Sequence, residues 1–277
     1  INTVVAACAT GTQSLGEAAE MIRRGAADTV IAGGVEGLIH VAAVAGFSRM
    51  RVLTTTHNDD PQHASRPFDK DRDGFVLSEG AGIMILERMD LALERGARIY
   101  AEIAGHASSS DSFHVATPDP DASGKVRAMQ WAIDDAGLST EDIDYINAHG
   151  TATMVNDASE TLAIKKLFGE PAYTIPVSSS KSVLGHAMGG AGALEAIFCT
   201  YALVEQIAPP TWNYETADPD CDLDYVPNAP RQTALRTALS NSFGLGGQNA
   251  CLILAQFPNG RGPSSNPSGS GNENSNQ

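Results

Sequence analysis

Positive charge is scarce in this chain: 18 lysines and arginines face 33 aspartates and glutamates, for a net charge of −15. Runs of Lys/Arg stop at the pairs Arg23-Arg24 and Lys165-Lys166, with no aromatics interleaved among them. Nucleic acid is gripped through clustered cations, so no nucleic-acid partner is expected. An acidic partner would have to meet a local basic patch rather than the global field. Cysteine is also sparse. Cys8, Cys199, Cys221 and Cys251 form no CxxC pair and keep no ligand spacing with histidine, so no zinc site or other metal is expected. The last three read as buried or incidental thiols, which fits a reducing cytoplasmic setting. No apolar run approaches the ~20 residues that cross a bilayer, so no membrane partner is expected. No signal-peptide pattern is visible, the sequence opening directly on a β-like segment.

What is present suits a globular protein with a real core. Hydrophobic residues make up 42% of the 277 and charged residues 18%. The 27 glycines fall mostly at element ends and in tight apolar loops, where backbone packs closely. Residues 2–7 read as a short buried strand. A helix over 12–24 carries Leu15, Ala18, Ala19 and Ile22 on one face and stops at Gly25. Segments 28–34 and 82–87 read as buried apolar strands, and 46–80 as loop. A short helix over 89–95 ends at Gly96.

A second set of elements follows. Segment 99–105 reads as a strand. Ser123 caps a helix that turns Val126, Met129, Ala132, Ile133 and Ala136 inward and stops at Gly137. Strand 143–148 runs into His149. Asn156 caps a helix ending at Gly169, strand 174–179 follows, and 189–204 is an apolar helix. Strands 235–242 and 250–257 flank the glycine turn 244–247. Apolar strands without alternation, spaced by helices, signal an α/β fold with its sheets covered on both faces. The stretch 259–277 has no apolar residues to bury and reads as a disordered tail.

Several residue types sit where chemistry is done. Cys8 falls at a strand end just before a helix, whose free N–H groups and positive dipole end lower a thiol pKa. By itself it reads more readily as a buried structural thiol. His149, in His149-Gly150-Thr151-Ala152-Thr153, stands at the carboxyl end of an apolar strand, where α/β proteins build sites. Lys181 and His186 precede an apolar helix in company too apolar for a solvent face, and Glu195 on that helix could neutralise a buried Lys181. Asp157 and Glu160, three apart on one helix, could orient the histidines or merely serve the helix dipole. The turn Gly244-Leu245-Gly246-Gly247 could aim backbone N–H groups at an oxyanion or be a plain hairpin.

Five segments, at 6–11, 64–82, 147–157, 178–195 and 240–249, together resemble the elongating β-ketoacyl-[acyl carrier protein] synthases of the thiolase superfamily, closest to the type II form. The likeness spans residues 1–257. It implies a thiolase-like, layered αβαβα fold of two similar halves. Residues 1–97 would be the end of the first half and 98–257 the whole second half, followed by the tail from 258. It implies that Cys8 holds the acyl chain as a thioester and that His149 and His186 act on malonyl-carrier. Lys181 and Glu195 would support the site. The backbone N–H groups of Cys8 and Leu245 would form the oxyanion hole, Thr151 and Thr153 would lie near the pantetheine arm, and Phe75 would line the pocket. Arg49 and Arg51, read as loop residues, are candidate docking residues for an acidic acyl carrier protein. Neither metal nor organic cofactor is implied, and a homodimer is.

The sequence departs from the family in two ways. Leu245 stands where the family has a gating Phe, keeping the backbone N–H but losing ring area. The family also has a long segment before the nucleophile. The expectation is therefore a chain whose N-terminal piece comes from another chain or lies outside this sequence. Polyketide ketosynthases share the same pattern. A non-catalytic partner subunit is the contrasting reading, which the presence of Cys8, His149, Lys181 and His186 argues against.

Overall fold

Strands that are apolar on both faces need cover on both faces, and the five-stranded sheet of this chain has it. The computed structural model describes residues 1–115 and 117–257. After a 3-10 turn at Ala7–Ala9, the elements in chain order are α1 (Thr10–Arg23), β1 (Thr29–Glu36) and α2 (Val41–Met50). Next come β2 (Gly80–Glu87), α3 (Met89–Glu94), β3 (Ala101–Ser110), α4 (Ser123–Asp135) and β4 (Tyr145–Asn147). Then follow α5 (Met154–Phe168), β5 (Val177–Ser178), α6 (Lys181–Leu184) and α7 (Met188–Glu205). The short pair β6 (Ile207–Ala208) and β7 (Arg231–Gln232) precedes β8 (Thr237–Phe243) and β9 (Gln248–Gln256).

The main sheet runs β3-β9-β8-β4-β5. Its β3-β9 and β9-β8 pairs are antiparallel, while β8-β4 and β4-β5 are parallel, with Ile146 opposite both Leu239 and Val177. Alternate side chains serve opposite cores. Ile146, Leu239, Cys251 and Ile253 pack against α4 and α5, while Tyr145, Ala238, Leu252 and Leu254 pack against α1 and α7. Beyond α1 and α7 lies an antiparallel ribbon of β1 and β2. Helix α7 is thus buried between ribbon and sheet, which explains its apolar residues all round. Close approach makes this possible. A Cβ on Gly11 of α1 would sit 2.6 Å from the Ala193 backbone nitrogen, and one on Gly82 of β2 would sit 2.7 Å from the Ala193 carbonyl carbon.

Several expectations need correction. Residues 1–6 form no strand: they find no ladder partner among the described residues, and Val5 is exposed. The ribbon strands are not buried on both faces. Ile31, Val35, Ile83 and Ile85 on its outer face are 56–72% exposed because only the α7 side is covered. The supposed loop from 46 begins as the last turns of α2, which ends at Arg51 in the left-handed region. The cap of α5 is Thr153, whose Oγ1 accepts from the Asn156 N–H, and Asn156 is already helical. Ser123 is the first residue of α4; its N–H and hydroxyl both donate to Asp119. The tail expected from 258 lies outside the described residues.

Candidate active site

Three mutually parallel strands end at the same edge of the sheet. β4 leads into His149. β5 leads through Ser179 and Ser180 to Lys181 on α6, and then Gly185, at φ +68°, turns the chain into His186. β8 leads to Phe243, Gly244 and Leu245. Cys8 arrives at this edge on the 3-10 turn before α1, and the preceding Ala7 is held at φ +48°. A non-glycine residue there costs roughly 1–2 kcal/mol, which surrounding packing must offset. The groups border a cavity of about 440 Å³ lined by Cys8, Phe75, His149, His186, Phe243 and Leu245 among others.

The geometry is tight. Cys8 Sγ and one ring nitrogen from each of His149 and His186 lie within 4.8 Å of one another. The two imidazoles meet edge-on, their centroids 5.2 Å apart. Lys181 Nζ lies 3.3 Å from His149 Nδ1 and forms an ion pair with Glu195, all of them buried. An ammonium can only donate, so Nδ1 accepts and the neutral ring carries its proton on Nε2. His186 is pinned through its backbone, donating to the Val76 carbonyl at 2.7 Å and accepting from the Ser78 N–H at 3.1 Å. Its buried Nδ1 has no hydrogen-bond partner among the described residues.

Burial sets the protonation. It holds both imidazoles well below the ordinary histidine range, and the Lys181 charge pushes the same way, so both are neutral. Burial pushes Glu195 up to about 7 against the pull of Lys181. Burial also raises the Cys8 thiol, which corrects the expectation of a thiol lowered by the helix end. The opposing Leu245 N–H and the Lys181 charge reduce that rise without reversing it. Met188 Sδ sits 3.8 Å from the Cys8 sulfur, which adds to its apolar setting.

The supporting residues divide their work. Neither Asp157 nor Glu160 touches an imidazole. Glu160 accepts from the backbone N–H groups of His149 and Gly150, both at 2.8 Å, and so fixes the loop that carries His149. Asp157 accepts from the N–H groups of Phe68 and Ala152. Thr151 and Thr153 hydroxyls lie 3.0 Å apart on the cavity wall, and Phe75 stands edge-on to His186. Arg49 lies in the last turn of α2 rather than in a loop, and Arg51 is its C-cap; of the two, only Arg51 lines the cavity.

Sequence patterns for the N-terminal and C-terminal domains of β-ketoacyl synthase match residues 2–92 and 100–215. The chain belongs to the β-ketoacyl synthase family. It is 50% identical over 256 residues to 3-oxoacyl-[acyl-carrier-protein] synthase 2 of Synechocystis sp. (strain ATCC 27184 / PCC 6803 / Kazusa), covering 92% of this chain and 61% of that protein. The protein of the same name from Staphylococcus aureus (strain COL) is 49% identical over 253 residues, covering 91% and 61%. The chain thus spans about three fifths of the length of these relatives. Among solved structures it is similar to AntDE:AntF, a type II PKS acyl-carrier protein in complex with its ketosynthase bound to the hexaketide. The TM-score there is 0.91 at 39% identity, covering 93% of this chain and 63% of that one. The fold is accordingly thiolase-like.

In this member of the β-ketoacyl synthase family the cavity also takes in residues to which sequence reasoning assigned no role: Lys125, Met188, Phe243, Asp111 and Asn249. Lys125 carried a readable signal. It lies four residues before Met129 and three before Ala128, which puts a charge on the inward stripe of α4. Met188 and Phe243 read as ordinary core residues, and only the meeting of β8 with the start of α7 puts them beside Cys8.

Proposed function

We propose that this site performs the decarboxylative Claisen condensation of a Cys8-bound acyl chain with malonyl-[acyl carrier protein]. The supporting observation is the single cluster of a thiol and two neutral imidazoles within 4.8 Å, backed by the Lys181–Glu195 pair. In the first half-reaction Cys8 Sγ attacks the acyl-carrier thioester carbon. The carrier thiol leaves and takes up the Cys8 proton. The backbone N–H groups of Cys8 and Leu245 flank the sulfur and receive the oxyanion. In the second, the malonyl C–C bond to the carboxylate breaks and carbon dioxide leaves. Neutral His149 and His186 donate to the thioester oxygen where the enolate charge grows. The enolate carbon attacks the Cys8 thioester carbon and expels Cys8 as a thiolate, which takes a proton from solvent, giving 3-oxoacyl-carrier and the free thiol. Asp157 and Glu160 hold the loop, Thr151 and Thr153 meet the pantetheine arm, and Phe75 walls the pocket.

The same reading gives fatty-acid elongation in the cytoplasm, acyl carrier protein docking near Arg49 and Arg51, and association with a second copy. The exposed apolar outer face of the β1/β2 ribbon is a surface such association would cover. It also divides the chain into half-domains 1–97 and 98–257, and the two matched patterns fall on either side of that division. Polyketide extension is a second reading, favoured by the similarity to a polyketide ketosynthase and by the smaller Leu245 at the gate. The test is to incubate the protein with a medium-chain acyl carrier protein and map the mass increment. An acyl group on the Cys8 peptide, absent in Cys8→Ala, supports the reading. A folded protein that takes no acyl group overturns it.

A further inference from the structure

Lys125 is a buried cation, only 2% exposed, on the wall of the same cavity as Cys8 and the two histidines. Its close polar partners are neutral oxygens: Asn156 Oδ1 at 3.3 Å and Ser159 Oγ at 3.1 Å. The Phe243 ring lies 5.0 Å from Nζ, and His149 lies 6.0 Å from that ring between centroids. The nearby carboxylates of Glu160, Asp111 and Asp157 act on it through space, and none forms an ion pair with it among the described residues. Glu160 and Asp157 are already engaged by backbone N–H donors, and Asp111 by Asn249 and the Asp119 N–H. Burial lowers the ammonium to about 8, so it remains charged at neutral pH. A buried ammonium without a counter-ion is costly, and an anion entering the cavity would relieve that cost.

We propose that Lys125 recognises the free carboxylate of the extender thioester and is a specificity-determining residue of this cavity. The inference rests on the condensation reading and adds the group that distinguishes the extender from an acyl chain. The carboxylate is the one full negative charge that this chemistry brings to the reacting end of a thioester. During decarboxylation the electron pair of the breaking C–C bond passes to the thioester enolate, and carbon dioxide leaves neutral. Lys125 keeps its proton throughout. Its interaction is strongest with the ground state and fades as the carboxylate charge moves away, so it supports binding and not rate.

The test compares binding of an amide-linked malonyl-pantetheine analogue, which cannot acylate Cys8, with that of the matching acetyl analogue. The wild-type protein is expected to bind the malonyl analogue at least tenfold more tightly. Lys125→Met, nearly isosteric, is expected to bind both alike, with its affinity for the acetyl analogue unchanged. With malonyl-carrier as varied substrate, Lys125→Met raises KM without lowering kcat. Equal binding of the two analogues by the wild type overturns the proposal without need of any variant. So does a preference that survives in folded Lys125→Met or in Lys125→Gln. Equal weakening of both analogues would place Lys125 against the pantetheine arm and also overturns it. Failure of wild-type Cys8 to accept an acyl group counts against the condensation reading, while the carboxylate preference is read separately from binding.

Discussion

Lys181 Nζ lies 3.3 Å from His149 Nδ1 while the same ammonium pairs with the buried Glu195 carboxylate. One lysine therefore fixes the tautomer of the imidazole and supplies the counter-ion for a carboxylate on α7. Charge, tautomer and the joint between α6 and α7 are linked through a single group.

Lys181→Met leaves Glu195 buried without its cation, which should destabilise the fold most above neutral pH, where the carboxyl otherwise ionises beside Lys181. The loss depends on pH with a definite sign. The folded Glu195 pKa is raised above its ordinary 4.5, so the folded state binds more protons than the unfolded. Stability from this group is present below that ordinary value and is lost as pH rises through the folded one. Removing Lys181 lifts the folded value further. The variant should thus lose stability by up to about 1.4 kcal/mol per pH unit from pH 4.5 upward. Urea melts at pH 5 and pH 8 check this, and Lys181→Met/Glu195→Gln should remove the slope.

Cys8 should be alkylated selectively but slowly. Burial holds its thiol above the ordinary 9.0, so the rate with iodoacetamide should still be rising through pH 9. Cys199, Cys221 and Cys251 are buried at 0–1% exposure and should stay unmodified in the folded protein. Peptide mapping after timed alkylation reads both expectations. An inflection below pH 8 would contradict the burial argument.

Glu160→Ala removes the acceptor shared by the His149 and Gly150 N–H groups. Each orphaned buried donor costs about 1–3 kcal/mol, so the protein should be destabilised by about 2–5 kcal/mol. Glu160→Gln keeps one carbonyl oxygen and should recover about half. Acylation of Cys8 should survive in Glu160→Gln, while condensation with malonyl-carrier falls, because the displaced group is His149. Single-turnover assays of the two half-reactions separate these effects.

Gly11→Ala would drive a methyl group to within 2.6 Å of the Ala193 backbone and push α1 away from α7. Overpacking of this kind costs about 1–3 kcal/mol. Because Cys8 rides on the turn that leads into α1, Cys8 acylation should fall together with stability. Thermal melts and the acyl mass increment check it. Gly25→Ala, in open space at the end of the same helix, should affect stability only, through its φ of +70°.

Much of the sheet could be read along the chain. Strands β4 and β9 lie in apolar runs ended by turn residues, and the helices carry their stops at Gly25, Gly137 and Gly169. The cap of α5 at Thr153, and the N-cap position of α4 at Ala122, differ from the expected Asn156 and Ser123 because several Ser, Thr, Asn and Asp side chains compete near each helix start. The exposure of the ribbon could not be read at all. Periodicity tells how apolar a strand is, not whether a second layer lies against it.

The sequence alone determined which chemical groups this protein has and in what order: a thiol before a helix, histidines at strand ends, a lysine and a glutamate in apolar company. These follow from residue identity and local pattern, which act over a few residues. The tertiary structure decided their state. Parallel pairing of β4, β5 and β8 brings residues 149, 181, 186 and 245 to one edge, and the turn before α1 delivers Cys8 to it. Burial there then keeps the imidazoles neutral, raises the Cys8 thiol against its helix end and leaves Lys125 charged beside neutral oxygens. Desolvation depends on what surrounds a group in three dimensions, and its neighbours here lie from 31 to 180 residues away along the chain.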